Sequence, residues 1–254
     1  MRSIPDVFPP AADIAETLGV YGAVIFRRAI PQSVLELLVL LCSAAFSILD
    51  LKVKEHEAGE ARADDPLGSR VEAYKTLQFI ADDVVRAVLS NAFLGQSGFE
   101  KVAGVLRDIL SPALRHDVEF LPGKSTFRRQ GTSAGAKRSA ILPWHRDAHA
   151  VRTADIGDCL NCWIPLHSVG VSRPSLQVVI GSSPVMRNVP VDYSLVNTLT
   201  HEQVIRDFGS ENICTALMEP GDFLLFDHHT LHRTQPMGDE YPMRVSGEVR
   251  FVGK

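Results

Sequence analysis

The sequence predicts a mainly β fold with flanking helices, and three observations carry that expectation. From about residue 116 the chain breaks into short apolar runs bounded by Gly, Pro and Ser, the pattern of strands joined by turns. Before about residue 115, apolar residues recur at three-to-four spacing, the period of a helix with one buried face. No repeat, low-complexity tract or long linker divides the 254 residues. Residues 1–254 are therefore expected to form a single domain, with 1–115 its largely helical part and 116–254 its β core.

Residues 1–10 hold three prolines and suit an extended arm, and 11–18 suit a short helix. Gly22 to Phe26 is an apolar run that suits a strand. Pro31 opens a long helix to about Leu51, because a missing N–H costs nothing in the first turn. Its most apolar part, Leu37 to Leu49, is bracketed by Glu36 and Asp50. That run falls short of the roughly 20 residues that span a bilayer, so a buried core helix is expected. The polar stretch 54–70 reads as a solvated loop, or as a lid over a substrate pocket. Helical periodicity resumes over 71–94, with Leu77, Ile80, Val84 and Val88 in one stripe, and again over 99–110.

Eight strand candidates follow, at 118–121, 125–129, 141–145, 159–166, 175–180, 214–219, 223–227 and 243–252. One helix interrupts them: Thr200-His-Glu-Gln203 is a capping box, and Gly209 ends the helix it opens. Eight short strands fit a double-stranded β-helix, a cupin-like jelly roll wound around a central pocket, with the N-terminal helices packed on its major sheet.

The chemistry gathers around Pro143-Trp144-His145-Arg146-Asp147. In an extended backbone, residues two apart share a face, so His145 and Asp147 project together. An imidazole and a carboxylate on one face make two-thirds of the 2-His-1-carboxylate facial triad that holds non-heme Fe(II). For the third ligand the far end of the chain offers His228, His229 and His232. The last strand then carries Arg244 and Ser246 on one face.

These pieces, with Trp-Ile-Pro-Leu at 163–166, Gly181-Ser182 and the Leu-His-Arg-Thr segment, resemble the phytanoyl-CoA dioxygenase family of Fe(II)/2-oxoglutarate oxygenases. The resemblance covers about residues 118–251. It implies that His145, Asp147 and His232 bind Fe(II) and that Arg244 and Ser246 hold the distal carboxylate of 2-oxoglutarate, with O2 as the second co-substrate. It also implies a hydroxyl contact from Thr234 and a pocket wall from Trp163. Arginine suits a carboxylate because its planar fork binds both oxygens. Arg250, nearer the outer end of the strand, is the alternative clamp. Arg146 stands where many relatives carry Gln. Asp147 stands where related halogenating enzymes carry a small residue, which favours oxygen insertion or another outcome of hydrogen abstraction.

The expected function is thus oxidation of an aliphatic C–H of a small molecule, coupled to conversion of 2-oxoglutarate to succinate and CO2. The alternatives are a metal-dependent cupin that does not use 2-oxoglutarate, and a non-catalytic binding protein on the same fold. Arg128, Arg129, Lys137 and Arg138 precede the metal strand, and Arg146, His149 and Arg152 surround it. Such a cluster suits either plain solvation or an anionic metabolite. A secondary metabolite is the other substrate expectation.

Composition narrows the partners. A net charge of −4 with 22% charged residues gives no basic excess for nucleic acid, and no membrane segment is expected. Four cysteines supply no disulfide framework. Cys159 and Cys162 sit three apart in a predicted strand, facing opposite sides, and no second pair completes a zinc site. A reducing cytoplasm is expected.

Overall fold

The computed structural model describes residues 2–7, 14–59, 79–80, 95–121, 124–130, 142–148, 158–190, 198–238 and 241–253. In chain order its strands are β1 (Asp6–Val7), β2 (Ala23–Phe26), β3 (Phe79–Ile80), β4 (Val118–Phe120), β5 (Thr126–Gln130), β6 (Trp144–His145) and β7 (Cys159–Pro165). They continue with β8 (Leu176–Val179), β9 (Thr198–Leu199), β10 (Ile213–Thr215), β11 (Phe223–Asp227), β12 (His232–Thr234) and β13 (Arg244–Gly253). The helices of the N-terminal part include α1 (Ala15–Tyr21), α2 (Gln32–Glu57) and α3 (Gly95–Leu114).

Two sheets form. The larger runs β1-β2-β11-β7-β13-β5-β3, with β4 paired to β13; the smaller runs β10-β8-β12-β6-β9. All pairs are antiparallel except β1 with β2. All eight expected strands appear. β12 is an addition, because three residues of Leu-His-Arg-Thr carry no alternating apolar signal.

Strand alternation divides the core into two layers. On the outer face of the large sheet, Phe26, Cys162, Ile164, Phe223, Leu225, Val249 and Phe251 pack against Leu38, Leu41, Ala45 and Leu49 of α2 and Leu106 and Leu110 of α3. Burying a side chain of this size stabilises by about 1.5–3 kcal/mol. On the inner face, Ile25, Trp163, Leu224 and Phe226 meet Leu176, Val178 and Cys214 of the small sheet. The long helix expected from Pro31 is α2, with Pro31 at its N-cap, and it runs past Leu51 to Glu57. By length and composition α2 could cross a membrane; here its stripe from Leu35 to Leu49 is buried on the sheet.

One expectation is corrected. Phe79 and Ile80, placed in a helix by their spacing, form β3 against Phe127 and Arg128. Edge pairing to β5 overrides the local helical period, and the rest of 71–94 lies outside the described residues. So do 60–70, most of the stretch considered as a lid. The capping box is present: Thr200 Oγ1 accepts from Gln203 N at 3.2 Å, and Thr200 N donates to Gln203 Oε1 at 2.7 Å.

Candidate metal centre

His145 and His232 lie directly opposite each other on the adjacent antiparallel strands β6 and β12. Cross-strand neighbours project to the same side, and their rings stand 4.3 Å apart. Asp147 comes from just beyond β6, not from within it, so strand alternation alone does not place it. Its Oδ1 lies 3.7 Å from His145 Nε2 and 3.8 Å from His232 Nε2. All three residues are buried.

The other ring nitrogens are engaged. His145 Nδ1 is 2.7 Å from Pro143 O, and His232 Nδ1 is 3.0 Å from Thr230 O. With Nδ1–H donating to a carbonyl, each Nε2 keeps its lone pair for a cation, the usual arrangement of metal-binding histidines. The turn that delivers His232 is set by Asp227, whose Oδ1 accepts from the N–H of His229 and of Thr230, each at 2.9 Å. Gly22, with φ of 76°, passes so close that an added Cβ would meet Thr230 Oγ1 at 2.8 Å.

Asp147 is held from behind. Its Oδ2 accepts from Asn161 Nδ2 at 2.5 Å and from Arg250 Nη2 at 3.0 Å. Arg250 also donates to Asn161 Oδ1 at 2.5 Å and to Glu248 Oε2 at 3.1 Å. One carboxylate oxygen is thus occupied and the other is aimed at the histidines. Burial would raise the Asp147 carboxyl, but Arg250, then His232 and His145, hold it well below the usual range. Burial, with His232 second, pushes His145 down to about 3. The set is therefore an ionised carboxylate with a neutral imidazole at His145, as a divalent cation requires. Arg250 is not the alternative clamp: its guanidinium is spent on Asp147 and Glu248.

Of the four expected co-substrate residues, Arg244, Ser246 and Trp163 lie on the inner face of the large sheet by strand alternation, and Thr234 lies two residues past His232 on β12. Arg244 is fully buried, 5.1 Å over the Trp163 ring, and donates to Gln130 Oε1 at 2.8 Å. Among the described residues no carboxylate forms an ion pair with it. Burial, then the neighbouring Arg128, push it down to about 9. Arg244 Nε, Ser246 Oγ, Thr234 Oγ1 and Trp163 Nε1 are all buried with no hydrogen-bond partner. Such orphaned groups are uncommon in native interiors. Three donors and a cation with no counter-ion fit a carboxylate-bearing molecule.

The basic cluster disperses. Arg129 pairs with Asp50, Arg128 lies 3.7 Å from Glu248, and Arg146 is buried against the carbonyls of Met186, Val189 and Pro190. Lys137, Arg138, His149 and Arg152 lie outside the described residues. Cys159 and Cys162 are buried free thiols. Sequence reasoning missed Asn161 and the role of Arg250. The available signal was strand period: Asn161 shares a face with Trp163, and Arg250 with Arg244 and Ser246.

The model of the phytanoyl-CoA dioxygenase family matches residues 20–240. Among solved structures, AviO1 from Streptomyces viridochromogenes Tue57 superposes with a TM-score of 0.57 and 14% identity, covering 94% of this chain and 92% of its own. The non-heme α-ketoglutarate-dependent carbocyclase SnoK of nogalamycin biosynthesis gives 0.59 and 14%, over 94% and 82%. The corresponding epimerase SnoN gives 0.57 and 14%, over 94% and 79%. At this identity the likeness is one of fold. No curated protein matches the chain.

Proposed function

The chain belongs to the phytanoyl-CoA dioxygenase family, and on that premise we propose that it is an Fe(II)- and 2-oxoglutarate-dependent oxygenase that oxidises an aliphatic C–H of a small-molecule metabolite. His145 Nε2, His232 Nε2 and Asp147 Oδ1 would hold the iron, leaving other coordination positions for co-substrates. Arg244 would bind the distal carboxylate of 2-oxoglutarate through both arms of its fork, with Ser246 and Thr234 donating hydroxyls and Trp163 walling the pocket. When bound, iron with 2-oxoglutarate and O2 supplies the oxidising power, and 2-oxoglutarate is converted to succinate and CO2.

The protein's own part is positional. Arg250 and Asn161 orient Asp147, the Pro143 and Thr230 carbonyls fix the histidine tautomers, and the sheets exclude water around the site. The reading treats residues 1–254 as one oxygenase domain, supported by the pairing of β2, from the N-terminal part, with β11. The likeness to SnoK and SnoN of nogalamycin biosynthesis supports a secondary metabolite as substrate.

The observation that carries this reading is Arg244, a buried cation without a carboxylate partner beside three orphaned donors. It favours 2-oxoglutarate use over a cupin that needs only the metal. The test is anaerobic titration of purified protein with Fe(II) and 2-oxoglutarate, following the visible charge-transfer band of the chelate. The band is expected in the wild type, and Arg244→Ala should weaken 2-oxoglutarate by about 100-fold, the loss of one buried charge-pair partner. Iron binding without the band would overturn the co-substrate, and no iron binding would overturn the site.

A further inference from the structure

A second set of ligand-type side chains comes together where strands β7 and β11 meet. Asp158 immediately precedes β7, and His228 and His229 immediately follow β11; the two strands pair with Asp227 opposite Leu160. One donor atom from each of the three residues lies within 4.8 Å of the others. We propose that Asp158, His228 and His229 form a second metal site, for a borderline transition cation such as Zn2+, Co2+ or Ni2+.

Two observations carry this beyond mere proximity, and they outweigh one hydrogen bond that must change. The spacing matches that of the first centre: His228 Nε2 is 3.9 Å from Asp158 Oδ1, against 3.7 and 3.8 Å from the two histidines to Asp147. One hydrogen bond must change for binding: Cys159 N–H donates to His228 Nδ1 at 2.9 Å, and a cation on Nε2 requires Nδ1–H to donate instead to Cys159 O, 3.0 Å away. Finally, His229 is only 8% exposed and its Nδ1 has no hydrogen-bond partner. An imidazole nitrogen buried without a partner calls for something to coordinate or bond it.

Two imidazoles and a carboxylate select by softness and geometry for the later divalent first-row metals rather than Mg2+ or Ca2+. The site differs from the first in access, since the Asp158 side chain is 63% exposed whereas the triad is buried. A cation here exchanges with solvent. Arg187 is the competing charge: its Nη1 lies 3.0 and 2.8 Å from the Asp158 oxygens, and its Nη2 lies 3.6 Å from Asp227. The metal therefore binds against Arg187, and removing that arginine should tighten the site. The two centres adjoin, because Ala148 N, one residue past Asp147, donates to His228 O at 3.0 Å. The proposal stands whether or not the first centre holds iron.

The test is a Co2+ titration of the untagged full chain under anaerobic conditions, with bound metal counted by equilibrium dialysis and ligation followed by visible absorption. The wild type should bind two equivalents. His229→Ala should bind one, His232→Ala should keep the Asp158 site and bind one, and the double variant should bind none. Arg187→Gln, at a half-exposed position, should still bind two, with the weaker constant tightened several-fold. No bound metal in folded His232→Ala would overturn the proposal, as would two equivalents surviving in folded His229→Ala. Because His232→Ala isolates the second site, failure of the first centre would be seen separately.

Discussion

Two arginines on one face of β13, six residues apart, are both buried and live in opposite circumstances. Arg250 lies among Asp147, Glu248 and Asn161, and those carboxylates raise its pKa against the pull of burial. Arg244 has a carbonyl partner in Gln130 but no paired carboxylate, and burial drives its pKa down to about 9. Burying a charge is costly unless it is paired. Arg250 is paired within the protein and therefore belongs to its architecture. Arg244 meets only carbonyl oxygens among the described residues, which is why the proposed function gives it the carboxylate of the co-substrate.

Breaking each in turn should separate the two roles. The largest effect is expected from Arg250→Met, which leaves the buried Asp147 carboxylate without its arginine. Loss of one member of such a network costs about 3–5 kcal/mol, readable as a lower denaturation midpoint. Iron affinity should also fall, by about 10–100-fold, because Asp147 loses its orientation. Unchanged stability would mean that the network is ornamental.

Arg244→Met should do the reverse. Replacing a charge that lacks a counter-ion by hydrocarbon of similar volume should leave stability without ligand within about 1 kcal/mol. The rise in melting temperature that 2-oxoglutarate gives the iron-loaded wild type should disappear. A destabilisation as large as that of Arg250→Met would merge the two roles and remove the contrast.

The same contrast between paired and unpaired buried groups has a pH dependence. His145 is held at about 3 and His229 at about 4, both below the 6.5 of the unfolded chain. The unfolded chain therefore takes up these protons first. The stability they contribute is complete above pH 6.5 and is lost as pH falls toward 4 and then 3. Each should add up to about 1.4 kcal/mol per pH unit to the slope of metal-free stability in that range. Denaturant midpoints between pH 7 and 4.5 read this directly, and His145→Gln should flatten the curve. A slope equal in variant and wild type would contradict the burial of a neutral imidazole.

The same contrast explains what could be read in advance. Apolar periodicity located α2 and the eight strands because hydrophobic spacing is a local property of the chain. It failed at Phe79 and Ile80, where pairing with β5 decides the conformation, and at β12, where three residues are too few to show a period. His145 and Asp147 were visible as a pair through their spacing, although Asp147 owes its aim to Asn161 and Arg250, 14 and 103 residues away. Choosing His232 over His228 and His229 rested on family resemblance; in the structure it is pairing with His145 that distinguishes it.

Local sequence carries the mainly β class, the helical N-terminal part and the residue types able to hold a metal and a carboxylate. These depend on side-chain chemistry and on periods of two and 3.6, which neighbouring residues carry between them. Which charges are paired, which donors are left over and where Asp158 meets His228 and His229 are fixed by the packing of distant strands. Those outcomes depend on strand register between segments far apart in the chain, and a one-residue slip in register would turn each of them to the opposite face.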